Sequence, residues 1–328
     1  MPGVTRLLMV YQSDDLPSSR IRVRELAPHL VAHGFEVSIR LYPPTLAERV
    51  SLFEVAKSHD LVLIQKKLPS FVDGILWRRL GRSIVFDYDD AIMMRDHARD
   101  GSYESATRKK KFDRAIDLAS AVVAGNEYLA SFVPSTKRRL VLPTPVPHRV
   151  PVREHRAVAE LRVGWIGLGK NLGTLAPIAD VLREAQRRFP FVLTVISNES
   201  PDLPGVRTEW WSWSRDSEDE MLSRVDLGIM ALAEDSPWDK GKCSYKVLKY
   251  MAAGLPVIAS RVGMNEEVVT ESSGFLVTSP AEWMHAFERL CGSVELRRQM
   301  GASGRELVLR TLTFEAVAAR LGAFLHEV

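Results

Sequence analysis

The chain has 328 residues, enough for about two domains, and its 46% hydrophobic and 26% charged content is that of a globular protein with a substantial core. Two well-separated cysteines, Cys243 and Cys291, with no CxxC or Cys/His cluster, exclude a disulfide framework, make a structural metal a poor expectation and fit a reduced cytosolic setting. Residues 1–150 hold 23 Lys+Arg against 17 Asp+Glu and the remainder 21 against 24, so the first half is basic and invites an anionic partner.

In chain order, Arg6–Gln12 reads as a buried first strand, its apolar run far too short for a signal peptide or a membrane span. A helix over about Arg20–His33 follows, with Ser18 or Ser19 as N-cap and Gly34 as its stop. Strands are expected at Phe35–Leu41, Leu61–Gln65, Ser83–Asp87, Ala121–Ala124 and Leu140–Leu142. Between them lie helices at Leu46–Ser58, Phe71–Leu80 and Tyr103–Leu118, and a short one from Glu127. Strands alternating with helices imply right-handed βαβ units and a parallel sheet.

Pro143, Pro145 and Pro147 stop regular structure, and the domain boundary is placed at 150/151. The alternation then restarts: strand Leu161–Gly167, helix Thr174–Arg188, strand Phe191–Ser197, helix Glu218–Arg224 and strand Leu227–Leu232. A helix containing Val247, Leu248, Met251 and Ala252 stops on Gly254 and leads into strand Val257–Ser260, a helix near Asn265–Thr270, and three terminal helices at about Pro280–Cys291, Glu295–Thr311 and Phe314–His326.

The segment Trp238–Lys246 feeds the start of that central helix. Lys242 and Lys246 flank Ser244 where unpaired N–H groups and the positive dipole end point, a natural anion site. Lysines four apart also suit a solvated helix face. The strand–loop–helix–strand setting decides for the anion site, because ligands in such sheets sit at the strand carboxyl ends. Gly164-Trp-Ile-Gly167-Leu-Gly169-Lys170 makes a glycine-rich turn after a strand, suited to a sugar diphosphate with Lys170 as countercharge. The same turn resembles a dinucleotide fingerprint with Glu199 on the ribose, which keeps an NAD(P)-dependent oxidoreductase as an alternative.

The run Gly241-Lys-Cys-Ser-Tyr-Lys-Val-Leu-Lys-Tyr-Met-Ala-Ala-Gly-Leu-Pro-Val257, with Asp226–Met230 before it and Ser260–Val268 after, resembles the nucleotide-sugar domain of retaining family 4 glycosyltransferases (glycosyl transferases group 1). The likeness continues through Ser273–Val277, Leu296–Gly301 and Gly304-Arg305, and is looser over the first half. It implies an α/β GT-B fold of two Rossmann-like, doubly wound domains facing across a cleft. Residues 1–150 would bind the acceptor and 151–328 the nucleotide sugar, the last helix being free to cross back. It also implies transfer of a sugar from a nucleotide diphosphate sugar to a hydroxyl, with retention, in glycan, polysaccharide or glycolipid synthesis, and without a metal or other cofactor.

On that reading the donor site comprises Gly169, Lys170, Trp213, Lys242, Ser244, Lys246, Glu266 and Glu267. Asp89 and Asp90, in Phe86-Asp-Tyr-Asp-Asp90 after the fourth strand, stand where relatives carry a histidine–aspartate pair, and are the catalytic candidates. A metal site or a helix cap is the other use of such a cluster. Ser19, Arg20 and Arg22 are the candidates for an anionic or lipid-linked acceptor, with a capped, solvated helix end as the alternative.

Two departures stand out. Family members commonly carry two glutamates eight apart around this loop, and here Gly241 and Lys249 occupy those positions. Either Asp239, Glu266 and Glu267 replace them or the chain is a non-catalytic, sugar-nucleotide-binding relative; an active enzyme is the reading taken. A lysine on the solvent face is the other use of position 249. Arg108-Lys-Lys-Lys111 reads as a solvated helix face, with peripheral attachment to the inner membrane face as the sharper alternative. No nucleic-acid motif accompanies the basic charge, so nucleic acid is not expected as a partner.

Overall fold

A computed structural model describes residues 4–98, 100–147 and 149–328. The chain divides into two compact units: residues 1–145 with 240–243 and 312–328, and residues 146–239 with 244–311. The first unit thus takes back a four-residue segment and the last helix from the second half of the chain.

The N-terminal unit is built on a six-stranded sheet: β1 (Thr5–Tyr11), β2 (Phe35–Leu41), β3 (Leu61–Gln65), β4 (Ser83–Tyr88), β5 (Ala121–Ala124) and β6 (Arg138–Val141). Their order is β2-β1-β3-β4-β5-β6 with every pairing parallel. Central strands covered on both faces read as unbroken apolar runs, and Leu7–Val10 and Ala121–Ala124 are all buried. Helices Leu46–Lys57 and Phe71–Arg78 start on capping boxes, Thr45 with Glu48 and Ser70 with Asp73. Helix Phe314–His326 packs on this unit, where His326 meets His33 O at 2.8 Å and its ring stacks on Phe35.

The first helical segment differs from expectation. Pro17 starts it, residues 20–25 form a widened π-type turn, and helix Ala27–Leu30 has Pro28 in its first turn, so no single helix runs from 20 to 33. Neither serine caps it. Leu16 is the N-cap without a side-chain hydrogen bond, and Ser19 is fully buried. Gly34 does end the segment, at φ +87°.

The C-terminal unit holds β7 (Leu161–Ile166), β8 (Phe191–Ser197), β9 (Thr208–Ser212), β10 (Leu227–Met230), β11 (Val257–Ser260) and β12 (Gly274–Val277). The order β12-β11-β10-β7-β8-β9, all parallel, reverses direction between β7 and β10. The helix expected over 174–188 is α-helical only from Ala179 to Arg188. Pro177 interrupts the ladder, and Gly169–Ile178 winds as tighter 3₁₀ turns. Trp165, Phe191, Phe287 and Leu182 centre the core of this unit.

Candidate active site

In the C-terminal unit the sequence reversal creates an opening. β7 and β10 pair at Val163–Leu227 and Gly164–Gly228. Beyond that register the hydroxyl of fully buried Tyr250 bridges them, accepting from Ile166 N at 2.9 Å and donating to Ile229 O at 3.3 Å. Glycine is required at 228, because a Cβ there would lie 2.3 Å from the Tyr250 ring. Tyr250 belongs to helix Tyr245–Ala252, so that helix is pinned to the crevice where such sheets bind ligands.

The two ends of this helix are treated differently. At its C-terminus every outgoing carbonyl is taken: Ala252 O by Arg305, Ala253 O by Arg153 N at 2.9 Å, and Gly254 O by His155 Nε2 at 2.8 Å. Gly254 turns at φ +74°, and helix Val294–Thr311 comes close because Gly301 has no side chain to meet Gly254 O. At its N-terminus Ser244 adopts φ +48° and makes no cap hydrogen bond. Its hydroxyl donates instead to Asn265 Oδ1 at 2.7 Å, and Asn265 in turn donates to Ser260 O. The Ser244 hydroxyl therefore does not cap the first turn, where the positive end of the helix dipole points.

Lys246 sits in that first turn. Its ammonium lies 3.9 Å from the centroid of the buried Trp165 ring and against Gly167, at the carboxyl end of β7. Gly169 N donates to Asn198 Oδ1 at 2.8 Å, and a Cβ at 169 would strike the Glu199 carboxylate. Lys170 is exposed at the start of the 3₁₀ turns, and Glu266 and Glu267 are exposed on helix Asn265–Val268.

Trp213 donates from Nε1 to Glu218 at 2.5 Å, and Glu218 is 2.9 Å from Lys249. Lys249 also pairs with Asp219 and is only 4% exposed, which rules out the solvent-face alternative. Burial alone would lower its pKa, but Tyr245, Glu218 and Asp219 outweigh that and raise it.

The N-terminal unit gathers a second charged cluster at the carboxyl ends of β3 and β4. Lys66 takes the left-handed conformation, φ +61°, with its N–H on Asp87 O at 2.7 Å. That turn aims its ammonium at Asp89, 3.0 Å away, and at Asp90. Burial acts to lower the Lys66 pKa, and the two carboxylates outweigh it and raise it. Burial raises the pKa of Asp89, against the pull of Lys66 and Arg22. Asp87 is held separately, by Arg22 Nε at 2.9 Å, while Arg22 Nη1 reaches Leu142 O at 2.9 Å.

The segment 240–243 packs beside this cluster. Buried Asn126 donates to the carbonyls of Lys240 and Lys242, and the Cys243 thiol donates to Asp89 O at 3.0 Å. Burial keeps that thiol protonated.

The predicted acceptor residues are put to other uses. Ser19 donates to Gln65 Oε1 at 3.0 Å in the interior, Arg22 is 4% exposed, and Arg20 pairs with Glu25 at 3.2 Å. Neither Ser19 nor Arg22 lies on a solvated helix end. Lys66, Tyr250, Glu218 and His155 went unread as site-forming residues. Lys66-Lys67 directly after a buried strand was the one sequence signal for the first of them.

The family model for glycosyl transferases group 1 matches residues 163–293, the span that contains the helix and crevice just described. The chain is a glycosyltransferase. No curated protein matches it significantly. Among solved structures it is similar over nearly its whole length to the sucrose-phosphate synthase of Thermosynechococcus elongatus (16% identity, 98% of each chain, TM-score 0.72). It is likewise similar to Anabaena HepE in complex with UDP and glucose (15%, 99% of this chain and 100% of that one, 0.70). A glycosyltransferase from Rickettsia africae aligns at 11% identity, over 100% and 99% of the chains, with TM-score 0.71. At such identities the likeness establishes the fold, which is the two-domain, Rossmann-like GT-B fold.

The structure accounts locally for both positions where the resemblance leads one to expect a glutamate. At 241 a Cβ would lie 2.8 Å from Ala91 Cβ and 2.9 Å from Ala91 N, so only glycine fits. At 249 the lysine is the cation of a buried cluster whose carboxylates come from helix Glu218–Ser223. Among the described residues no group of three His, Cys, Asp or Glu side chains is arranged to hold a metal. No helix among them is long and apolar enough to cross a membrane.

Proposed function

We propose that the enzyme moves a sugar from a nucleotide diphosphate sugar to a hydroxyl acceptor, with retention, as a metal-independent relative of the family 4 enzymes. The observation that carries this reading is the position of Lys246, in the first turn of a helix whose N-cap hydroxyl is turned away, at the carboxyl end of β7. A diphosphate there would accept from first-turn N–H groups and face a fixed ammonium. As the bond to the sugar breaks, negative charge grows on the leaving diphosphate, and these preorganised groups stabilise that state more than the ground state. The complex of HepE with UDP and glucose supports a nucleotide-sugar donor.

In this reading Gly169 lets the backbone approach the donor, and Lys170 and Lys242 add countercharge. Ser244 keeps the helix end open, Trp213 borders the nucleotide, and Glu266 and Glu267 receive hydroxyls of the donor. Asp89, held above the usual carboxylate range by burial, and Asp90 orient the acceptor hydroxyl or the donor sugar. Arg20 remains as the acceptor-side cation. The product belongs to glycan, polysaccharide or glycolipid synthesis, made in the cytoplasm or at the inner membrane face.

The test is isothermal titration with UDP, GDP, ADP and TDP, followed by transfer assays with the sugars of whichever nucleotide binds and NMR of the product's anomeric centre. One nucleotide should bind and the product should keep the donor's configuration. A folded protein that binds none, or an inverted product, would overturn the donor reading or the retention respectively.

A further inference from the structure

Away from both clusters, the N-terminal unit leaves an apolar stripe uncovered. Helix Leu46–Lys57 exposes Leu46 (53%) and Val50 (43%), and helix Phe71–Arg78 exposes Phe71 (69%), Val72 (44%) and Ile75 (39%). The two helices are neighbours, and the second also packs on helix Ala106–Leu118. Their inward faces are filled normally by Leu52, Phe53, Ala56 and Trp77. Single exposed apolar side chains need no explanation, but five on adjoining helices form a surface.

The rim of that surface is cationic. Arg114 stacks over the Phe71 ring at 5.8 Å and packs on Gly74. Lys110 and Lys111 precede it by four and three residues, on the same helix face. Lys67 lies over Tyr42 beside Arg49 and Lys111, and its pKa is lowered by burial and then by those neighbouring cations. Of the acids nearby, Glu48 and Asp73 close capping boxes and Asp113 pairs with Lys109 at 2.5 Å, while Asp117 is an exposed carboxylate three residues after Arg114, so Lys67, Lys110, Lys111 and Arg114 outnumber it.

We propose that this face docks onto an anionic lipid bilayer, with Phe71, Val72 and Ile75 entering the headgroup–acyl boundary while Lys67, Lys110 and Lys111 meet lipid phosphates. Charge complementarity selects the bilayer over a second copy, since a two-fold contact through this face would set the same cations against each other. The inference names the surface for the membrane contact in the proposed function, yet needs neither donor nor acceptor.

The experiment is co-sedimentation of the full chain with phosphatidylglycerol–phosphatidylcholine vesicles and with phosphatidylcholine alone. Binding should require phosphatidylglycerol and weaken with salt. Lys110→Glu/Lys111→Glu and Phe71→Ser/Ile75→Ser should each reduce partitioning at least tenfold, given roughly fivefold per basic residue at a membrane surface. Both pairs are surface changes, so nucleotide titration and thermal midpoints should stay as in the parent. Absence of phosphatidylglycerol-dependent binding, or unchanged binding of both variants, overturns the proposal. So does a dimer in sedimentation velocity that Phe71→Ser/Ile75→Ser dissolves while no vesicles are bound. Failure of the transfer assays would leave the vesicle result standing.

Discussion

Lys249 Nζ lies 2.9 Å from the Glu218 carboxylate, with the two side chains only 5% and 13% exposed. The pair puts a buried cation where the family resemblance leads one to expect a glutamate, and its carboxylate comes from helix Glu218–Ser223. Removing one member of a buried pair strands the other. Lys249→Met should therefore cost about 3–5 kcal/mol. Lys249→Glu, which introduces the residue that the family resemblance would put there, should be worse, because Glu218 and Asp219 would then face a third acid. Thermal melts of the two variants and of the Lys249→Glu/Glu218→Lys exchange check this, the exchange recovering part of the loss.

Gly241→Glu should fail for a different reason. The Ala91 backbone occupies the space of a Cβ, so even Gly241→Ala overpacks the site, by about 1–3 kcal/mol. Melting temperatures of both variants should fall, and a Gly241→Glu protein of parental stability would contradict the packing described.

Arg22 is held by Asp87 and the carbonyl of Leu142, so it acts on folding before it can act on an acceptor. Arg22→Ala should lower stability by about 3–5 kcal/mol through the uncompensated Asp87. Arg20→Ala, at a half-exposed pair, should leave the melt unchanged and raise the KM for an anionic acceptor.

His155 gives a pH signature. Its Nε2–H donates to Gly254 O, and burial lowers its pKa, with Arg297 and Arg153 acting the same way against the hydrogen bond to Gly254 O and the charge of Asp226. Above the ordinary histidine value of about 6.5 it is neutral in both states and its contribution is complete. As pH falls below that value the unfolded chain takes up a proton that the folded one resists, so stability declines until the folded pKa is passed. His155→Gln should flatten this acid limb in urea titrations between about pH 7 and 5.

Much of the framework was legible because buried parallel strands are unbroken apolar runs. Phe35–Leu41, Leu61–Gln65, Ala121–Ala124 and Val257–Ser260 have the expected limits. The helices at 20–33 and 174–188 were not, because Pro28 and Pro177 sit inside otherwise helical patterns and local winding decides what they do. Gly254 as a helix stop was readable from its residue type. The partner of Lys249 was not, since a lysine on a helix looks alike whether a distant carboxylate or water meets it. For the same reason the inward turn of Arg22 left no mark in the sequence, and at Lys66 the sequence showed a lysine pair after a buried strand but not its left-handed turn.

The central claim is that Lys246 and the positive end of its helix hold the donor's diphosphate. Its most direct test is isothermal titration of the nucleotide that binds the parent into Lys246→Ala, with a melt of the same sample. Loss of one charge-assisted contact predicts affinity lower by roughly ten- to a hundred-fold, about 1.5–3 kcal/mol, with turnover falling at least as far. The melting temperature should move little, since the contact with Trp165 is a half-exposed cation over a ring. Affinity within twofold of the parent together with a clear drop in melting temperature would contradict the claim and make Lys246 a structural residue.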